Sequence, residues 1–284
     1  MSDGVLLLLK PPGCSSHDVA QWVRRRLKAP CGHLGTLDPL AAGLLVVAAG
    51  RATRLIRYAE GQEKEYVAEI WLGLGTASED FAGDVTAKAD ASHLGRSEVE
   101  AALTHLAGET MQLPPAFSAR QVAGERAYRA ARRGRALDLP MRPARLLRWE
   151  IVDLRPGEIL KLRLQMRVSS GYYVRSLARD LGLRLGVPGV LASLVRSLSG
   201  PFRIEQARTL EEELDLLPMD VLIGHLPRVE FGLEEARRLL YGQRLPGAGE
   251  RQGPCAAYAQ GRLLGVLQAR SGVFHPETVL GMEE

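Results

Sequence analysis

The segment Gly32-His33-Leu34-Gly35-Thr36-Leu37-Asp38-Pro39-Leu40-Ala41-Ala42-Gly43 sets a histidine and an aspartate between glycine-punctuated turns, directly before an apolar run. A tight loop of this kind presents a carboxylate, although Asp-Pro alone is a common way to begin a turn or a helix. A carboxylate held at a rigid turn is a candidate nucleophile or general base, and it can also stabilise positive charge that develops on a carbon beside it. When buried such a group tends to take up a proton, and a nearby guanidinium opposes that by favouring the ionised form. Arg175, inside Gly171-Tyr172-Tyr173-Val174-Arg175-Ser176-Leu177-Ala178-Arg179-Asp180-Leu181-Gly182, is the candidate partner. A bidentate guanidinium would also fix the direction of the carboxylate. The neighbouring Arg179 and Arg184 read as exposed arginines of an Arg-rich chain. Tyr66 opens an alternating stretch that by itself makes it a half-buried core tyrosine. His33 lies five residues before Asp38 and is one of six histidines, none in an HxxxH or HxH pattern, so no metal site is expected. Cys14, Cys31 and Cys255 form no CxxC pair, which predicts reduced thiols. No cofactor is required.

The elements that must position these residues read as mixed α+β. Residues 5–9 form an apolar run ending at Lys10-Pro11-Pro12-Gly13, a buried strand running into a turn. Ser16 is the expected N-cap of a helix carrying Val19, Trp22, Val23 and Leu27. Residues 43–50 read as a second buried strand and residues 53–59 as a short helix. From Tyr66 to Leu72 the pattern switches to period two, and Leu162, Leu164, Met166 and Val168 alternate with Lys161, Arg163, Gln165 and Arg167. Such alternation favours antiparallel sheet. Ser97 and Glu100 make a candidate capping box for a helix with Val99, Leu103 and Leu106, and Leu177, Leu181 and Leu185 mark another. The chain resets near Leu226-Pro227. Beyond it, residues 233–241 predict a helix stopped by Gly242, and residues 255–259 and 263–268 flank a hairpin turn. The expected division is a catalytic domain over residues 1–225 and a small β-rich module over residues 226–284.

With 284 residues, 46% of them hydrophobic and 25% charged, the composition is that of an ordinary soluble protein with a sizeable core. No apolar run approaches the roughly 20 residues that span a bilayer, and the first residues do not read as a secretory signal, so a cytoplasmic protein is expected. The net charge of +4 conceals 32 arginines against 5 lysines. Nine arginines and only two acids fall within residues 120–148, a candidate phosphate-binding surface where charge alone would equally allow a solvated face.

The Gly32–Gly43 block closely resembles the GHxGTLDPxAxG signature of the TruB family of pseudouridine synthases, and other segments agree in order. Lys10-Pro11-Pro12-Gly13 with Ser15-Ser16 is similar to the family's KPxGxxS start, Gly50-Arg51-Ala52-Thr53 to its GxAT continuation, and Lys64-Glu65-Tyr66 to its KxY strand opening. Pro114-Pro115 with Phe117-Ser118-Ala119 resembles the segment before its thumb-like arm, and the Gly171–Gly182 block its GxY[IV]R[ST]LxxDLG motif. Leu194-Val195-Arg196 before Gly200-Pro201-Phe202 completes the match, which spans about residues 5–210. The resemblance implies a pseudouridine-synthase fold with a mainly antiparallel sheet, flanking helices and a C-terminal RNA-binding module of PUA type. It also implies isomerisation of a tRNA T-loop uridine, uridine-55 in tRNA numbering, after the base is flipped out. By the same resemblance Asp38 is the nucleophile, Arg175 its salt-bridge partner and Tyr66 the stacking ring. His33, Tyr173, Leu194, Lys10 and Lys64 would contact substrate, and Arg126, Arg129, Arg132 and Arg133 would sit on a basic insertion around residues 112–148 that clamps the T-stem-loop. A monomer with no obligate protein partner and no membrane contact is implied.

A non-catalytic tRNA-binding or tRNA-folding protein would use the same basic surface, but gives no reason for a carboxylate, an arginine and a tyrosine to fall in matching motifs. A glycosidase or nuclease would need a second motif-supported carboxylate or metal-ligand spacing. If the basic insertion grips RNA, changing Arg132 and Arg133 to Glu weakens tRNA binding and flattens its dependence on salt. Binding unaltered across a salt titration would remove that role.

Overall fold

In the computed structural model, which describes residues 3–117, 121–122, 125–126 and 139–281, one large sheet carries the loop that holds Asp38. Strands Gly4–Lys10, Ala42–Ala49, Gly189–Ser199, Lys64–Leu72, Leu160–Val168, Arg142–Arg155 and Gly108–Gln112 lie side by side in that order. Every neighbouring pair is antiparallel except Ala42–Ala49 with Gly189–Ser199. The short strand Cys31–Leu34 joins the far side of Ala42–Ala49.

The hydrophobic patterns acquire their meaning here. Leu160, Leu162, Leu164, Met166 and Val168 are buried while Lys161, Arg163 and Arg167 face outward, because only one face of this part of the sheet is covered. Helices Arg96–Leu106 and Val174–Arg184 supply that cover through Val99, Leu103, Leu177 and Leu181. Strands Gly4–Lys10 and Ala42–Ala49 are instead covered on both faces. Leu6, Leu8, Leu45 and Val47 pack with Val19 and Val23 of helix Ser16–Leu27, whereas Val5, Leu7, Leu44 and Val46 pack toward the C-terminal sheet. These two strands therefore read as unbroken apolar runs.

Two expected helix starts are displaced. Ser15, not Ser16, caps the first helix in a reciprocal box with Asp18. Ser16 is unavailable as a cap because its hydroxyl is spent on the backbone of Leu37, accepting from the N–H at 2.8 Å and donating to the carbonyl at 3.1 Å. The second helix begins after Gly95, whose N–H donates to the Glu98 carboxylate, while Glu100 pairs with Arg96 one turn away.

Helix Val174–Arg184 approaches the sheet at a glycine contact. A Cβ on Gly189 would meet the Ala178 carbonyl oxygen at 2.1 Å, and one on Gly182 would meet the Gly189 nitrogen at 2.5 Å. The close packing fixes the height of the helix that bears Arg175.

The second sheet has the order Arg228–Glu230, Gly253–Ala259, Arg262–Arg270, Gly272–Val279, Leu245–Gly249, with helix Leu233–Leu240 against it. The hairpin closes on two residues, Gln260 (φ 50) and Gly261 (φ 75), the positive pair of a type I′ turn. Ala256, Tyr258, Val266 and Leu280 share a core with Leu44, Val46 and Leu55, and Arg54 donates to the Val279 carbonyl at 2.6 Å. The architecture is the expected α+β with a β-rich C-terminal sheet. Among the described residues no helix is long and apolar enough to cross a membrane.

The glycine contact predicts that Gly189→Ala loses at least about 2 kcal/mol of stability, because backbone rather than a pliable side chain must give way. Denaturant unfolding checks this, and an unaltered midpoint would show that the helix does not depend on the contact.

Candidate active site

The loop bearing Asp38 is held from beneath by the turn that precedes helix Ser16–Leu27. Ser16 grips Leu37 on one side of Asp38, and Gly13 donates its N–H to the Pro39 carbonyl at 2.8 Å on the other. Lys10 is 1% exposed, and its ammonium donates to the carbonyls of Ala41 at 2.6 Å, Pro11 at 2.9 Å and Pro39 at 3.5 Å. Expected at the substrate, Lys10 is therefore found under the loop as a strut. Ala41 N–H closes the turn back onto the Asp38 carbonyl at 3.0 Å. The Asp38 carboxylate thus extends from a backbone held on both sides.

It points at Arg175. The guanidinium Nη2 stands 2.9 Å from Asp38 Oδ2 and also donates to the Phe117 carbonyl at 2.9 Å, while Nη1 reaches the Ser78 carbonyl at 3.2 Å. A second carboxylate, Asp80, lies 3.8 Å from Arg175 Nε. Asp80 is 5% exposed and is itself fixed, accepting from the Ala82 N–H at 3.0 Å and from the Ser78 hydroxyl. Arg175 is thus a buried cation between two carboxylates, one anchored in the protein and one facing a cavity.

Its position runs against helix electrostatics. Arg175 sits in the first turn of Val174–Arg184, where the partial positive charge of the helix end disfavours a cation by about 0.3–1 kcal/mol. The two carboxylates offset that. The start of the helix is held by Gln112, which accepts from the Tyr173 N–H at 3.0 Å and donates to the Tyr173 carbonyl at 3.2 Å. Ser176 and Arg179 both donate to the Leu113 carbonyl, at 2.8 and 3.0 Å. Arg179 is not the exposed arginine expected from composition, since it pairs with Glu79 and Asp180, each at 2.8 Å.

The cavity in front of Asp38 has a volume of about 600 Å³ and is lined among others by Tyr66, Tyr173, Arg175, Leu191 and Leu194. That is room for a nucleoside with part of its backbone, within the usual size of a ligand site. Tyr66 and Leu194 are 6% and 7% exposed, so they wall the space. Lys64 lines it too, two residues before Tyr66 on the same face of the strand. The structure therefore brings Asp38, Tyr66, Arg175, Tyr173, Leu194 and Lys64 to one cavity. His33, on strand Cys31–Leu34, is not among the residues that line it, and its Nδ1 is buried and unpartnered. Burial and the Arg196 charge push the His33 pKa down, which keeps the ring neutral at pH 7. Arg126 falls in the two-residue strand Glu125–Arg126, paired with Gln121–Val122; Arg129, Arg132 and Arg133 lie outside the described residues.

Burial raises the Asp38 pKa above the usual carboxylate value; Arg175 opposes this and the Asp80 charge reinforces it. The side chain is 37% exposed, and it lines the cavity. A carboxylate that is poorly solvated, yet ionised through a guanidinium, is a stronger nucleophile and base than one in water. Asp80 was not among the expected site residues, yet it stands in the electrostatic surroundings of Asp38. Its signal in the sequence is the acidic loop of residues 76–83, which resembles part of the family's TxTxDxxG segment and which no periodicity connects to Arg175.

Residues 24–174 match the family model described as TruB family pseudouridylate synthase (N terminal domain). A protein named tRNA pseudouridine synthase B from Symbiobacterium thermophilum is 47% identical over 245 residues, covering 84% of this chain and 82% of the relative. Its namesake from Thermobifida fusca is 40% identical over 290 residues, covering 98% and 99%. Among solved structures, the H/ACA RNP bound to a substrate RNA containing 2′-deoxyuridine superposes with a TM-score of 0.74 at 25% identity, covering 98% of this chain and 85% of the other. The Cbf5-Nop10-Gar1 complex gives 0.73 at 26%, with the same coverage. With its Asp38 loop and its Arg175 helix start folded into one cavity, the chain belongs to the TruB family of pseudouridine synthases.

Proposed function

We propose that this protein is a tRNA pseudouridine synthase that isomerises the T-loop uridine, uridine-55, in the cytoplasm, with Asp38 as the reacting carboxylate. The observation that carries the proposal is the 2.9 Å pair between Arg175 and Asp38 at the edge of a cavity of about 600 Å³. Relatives covering nearly the whole chain are named tRNA pseudouridine synthase B, which supports tRNA as the substrate.

The reaction breaks the bond between C1′ and N1 of uridine, turns the freed uracil, joins C5 to C1′ and moves the C5 proton to N1. The base must first leave its stack, at a cost of a few kcal/mol. Asp38 then either adds to C1′ or removes the C2′ proton on a glycal route. In both cases the ionised carboxylate is the active form. Tyr66 supplies a ring against which the detached uracil can turn without escaping, and its hydroxyl is a candidate for the late proton transfer. Leu194 and Tyr173 narrow the cavity against water, whose attack on the intermediate would leave an abasic site. Arg126, Arg129, Arg132 and Arg133 belong to the proposed clamp on the T-stem-loop. The same reading assigns residues 1–225 to catalysis and residues 226–284 to an RNA-binding module of PUA type. The enzyme acts as a monomer without an obligate protein partner.

With unmodified tRNA labelled at uridine C5, the wild-type protein is expected to release label and to modify one T-loop position, whereas Asp38→Asn loses turnover by several orders of magnitude while still binding tRNA. Label release by Asp38→Asn at the wild-type rate would end the proposed mechanism and favour an RNA-folding role. A second expectation concerns pH. Because the active form is ionised and the pKa is raised, activity falls as pH drops through a value above the ordinary aspartate pKa of about 3.9. Asp80→Asn removes a like charge, so the acid limb of its kcat/KM profile moves to lower pH; a limb that stays in place or moves up contradicts the electrostatic account.

A further inference from the structure

Lys10, Lys64, Arg175 and Arg196 place four cations around the loop that holds Asp38, against the two carboxylates Asp38 and Asp80. Arg175 is matched by those carboxylates, and Lys10 is spent on backbone carbonyls. Lys64 and Arg196 are not matched. Arg196 is 0% exposed; its Nε donates to the Leu44 carbonyl at 2.8 Å and its Nη1 to the Gly35 carbonyl at 2.9 Å. Its Nη2 is buried with no hydrogen-bond partner, and no carboxylate among the described residues pairs with it. Lys64 Nζ donates to the Gln62 carbonyl at 3.2 Å, which leaves two ammonium hydrogens free. The acid whose charge acts on it, Glu60, is exposed and lines the cavity.

The two cations meet at Gly35. A Cβ there would stand 2.9 Å from Lys64 Cε and 3.2 Å from Arg196 Nη1, and the backbone has φ +65. Glycine at this position lets the lysine stem lie on the turn with the guanidinium behind it. Burial and the Arg196 charge bring the Lys64 pKa down to about 8. Sequestering two cations without a counter-charge is unfavourable, and an anion arriving with the substrate relieves it. A uridine entering the cavity brings such an anion in its own backbone.

We infer that Lys64, seated on the Gly35 turn and backed by Arg196, forms a subsite for one of the two phosphates that flank the target uridine. Lys64 makes the contact. Arg196 acts from behind, supplying field and holding the Gly35 carbonyl. This rests on the function proposed above, and places the backbone of the everted nucleotide on the Lys64 side of the cavity, with its sugar toward Asp38.

The test uses T-arm stem-loop RNAs carrying a neutral methylphosphonate immediately 5′ or 3′ of the target uridine, with wild type, Lys64→Met and Lys64→Gln. One of the two linkages should lower wild-type kcat/KM about tenfold, mainly through KM, as expected for a lost charge-assisted contact. Each Lys64 variant should show a comparable loss on unmodified RNA and no further loss from that linkage. Wild type indifferent to both neutral linkages overturns the subsite without needing any variant. Penalties that multiply in the Lys64 variants at both linkages overturn it equally. Either result leaves isomerisation of the unmodified RNA intact, whereas failure of the wild-type protein to form pseudouridine at all would instead reject the underlying function.

Discussion

A buried guanidinium facing two carboxylates is the constraint around which this molecule is organised. Removing one partner from such an arrangement leaves an uncompensated charge and costs several kcal/mol, so Arg175, Asp38 and Asp80 depend on one another for burial. They arrive from three distant parts of the chain. The Asp38 loop is tied down by Lys10, Gly13 and Ser16, and the Arg175 helix is seated by the Gly182 and Gly189 contact and by Gln112. Asp80 is fixed by its own tight loop. None of these supports touches the cavity chemistry, yet together they leave the Asp38 carboxylate little freedom, and precise placement of a reacting group is a large share of what an active site supplies.

How much of this could be read from the chain follows from how local each cause is. Alternation in Leu160–Val168 and Lys64–Leu72 needs only one covered face, and it identified both strands. The first helix start was displaced for a non-local reason: the hydroxyl of Ser16 is taken by Leu37, 21 residues away. Asp38 and Arg175 could be singled out because they fall in long family-like motifs, and Tyr66 through the short Lys64-Glu65-Tyr66 match, whereas charge and periodicity alone left each with an ordinary structural reading. The same motifs placed Lys10 among substrate contacts, although its burial makes it a scaffold residue. Asp80 and Arg196 also fall in family-like segments, but they were not nominated as site residues because the partners that give them weight, or the lack of partners, appear only in three dimensions.

The two halves of the active site differ in electrostatic character. On the Arg175 side the one guanidinium already has carboxylates of the protein as partners, which suits a carboxylate that must be ready before substrate arrives. On the Lys64 side the positive charge is unmatched by any described acid at ion-pair distance. Carboxylate chemistry close to a polyanion needs some such asymmetry, because a fully neutral site would give the backbone of the nucleotide nothing to prefer.

The C-terminal sheet is joined to the catalytic sheet by shared hydrophobic packing, with Ala256, Tyr258, Val266 and Leu280 interleaved with Leu44, Val46 and Leu55. A detachable domain of similar size could be traded between lineages as a cassette. Here each change of side-chain volume on one sheet must be answered on the other, and Val46 lies only a few residues beyond Asp38 on the strand that follows its loop. Substitution in the tail is therefore limited by how far it can go before it disturbs the strand that follows the Asp38 loop.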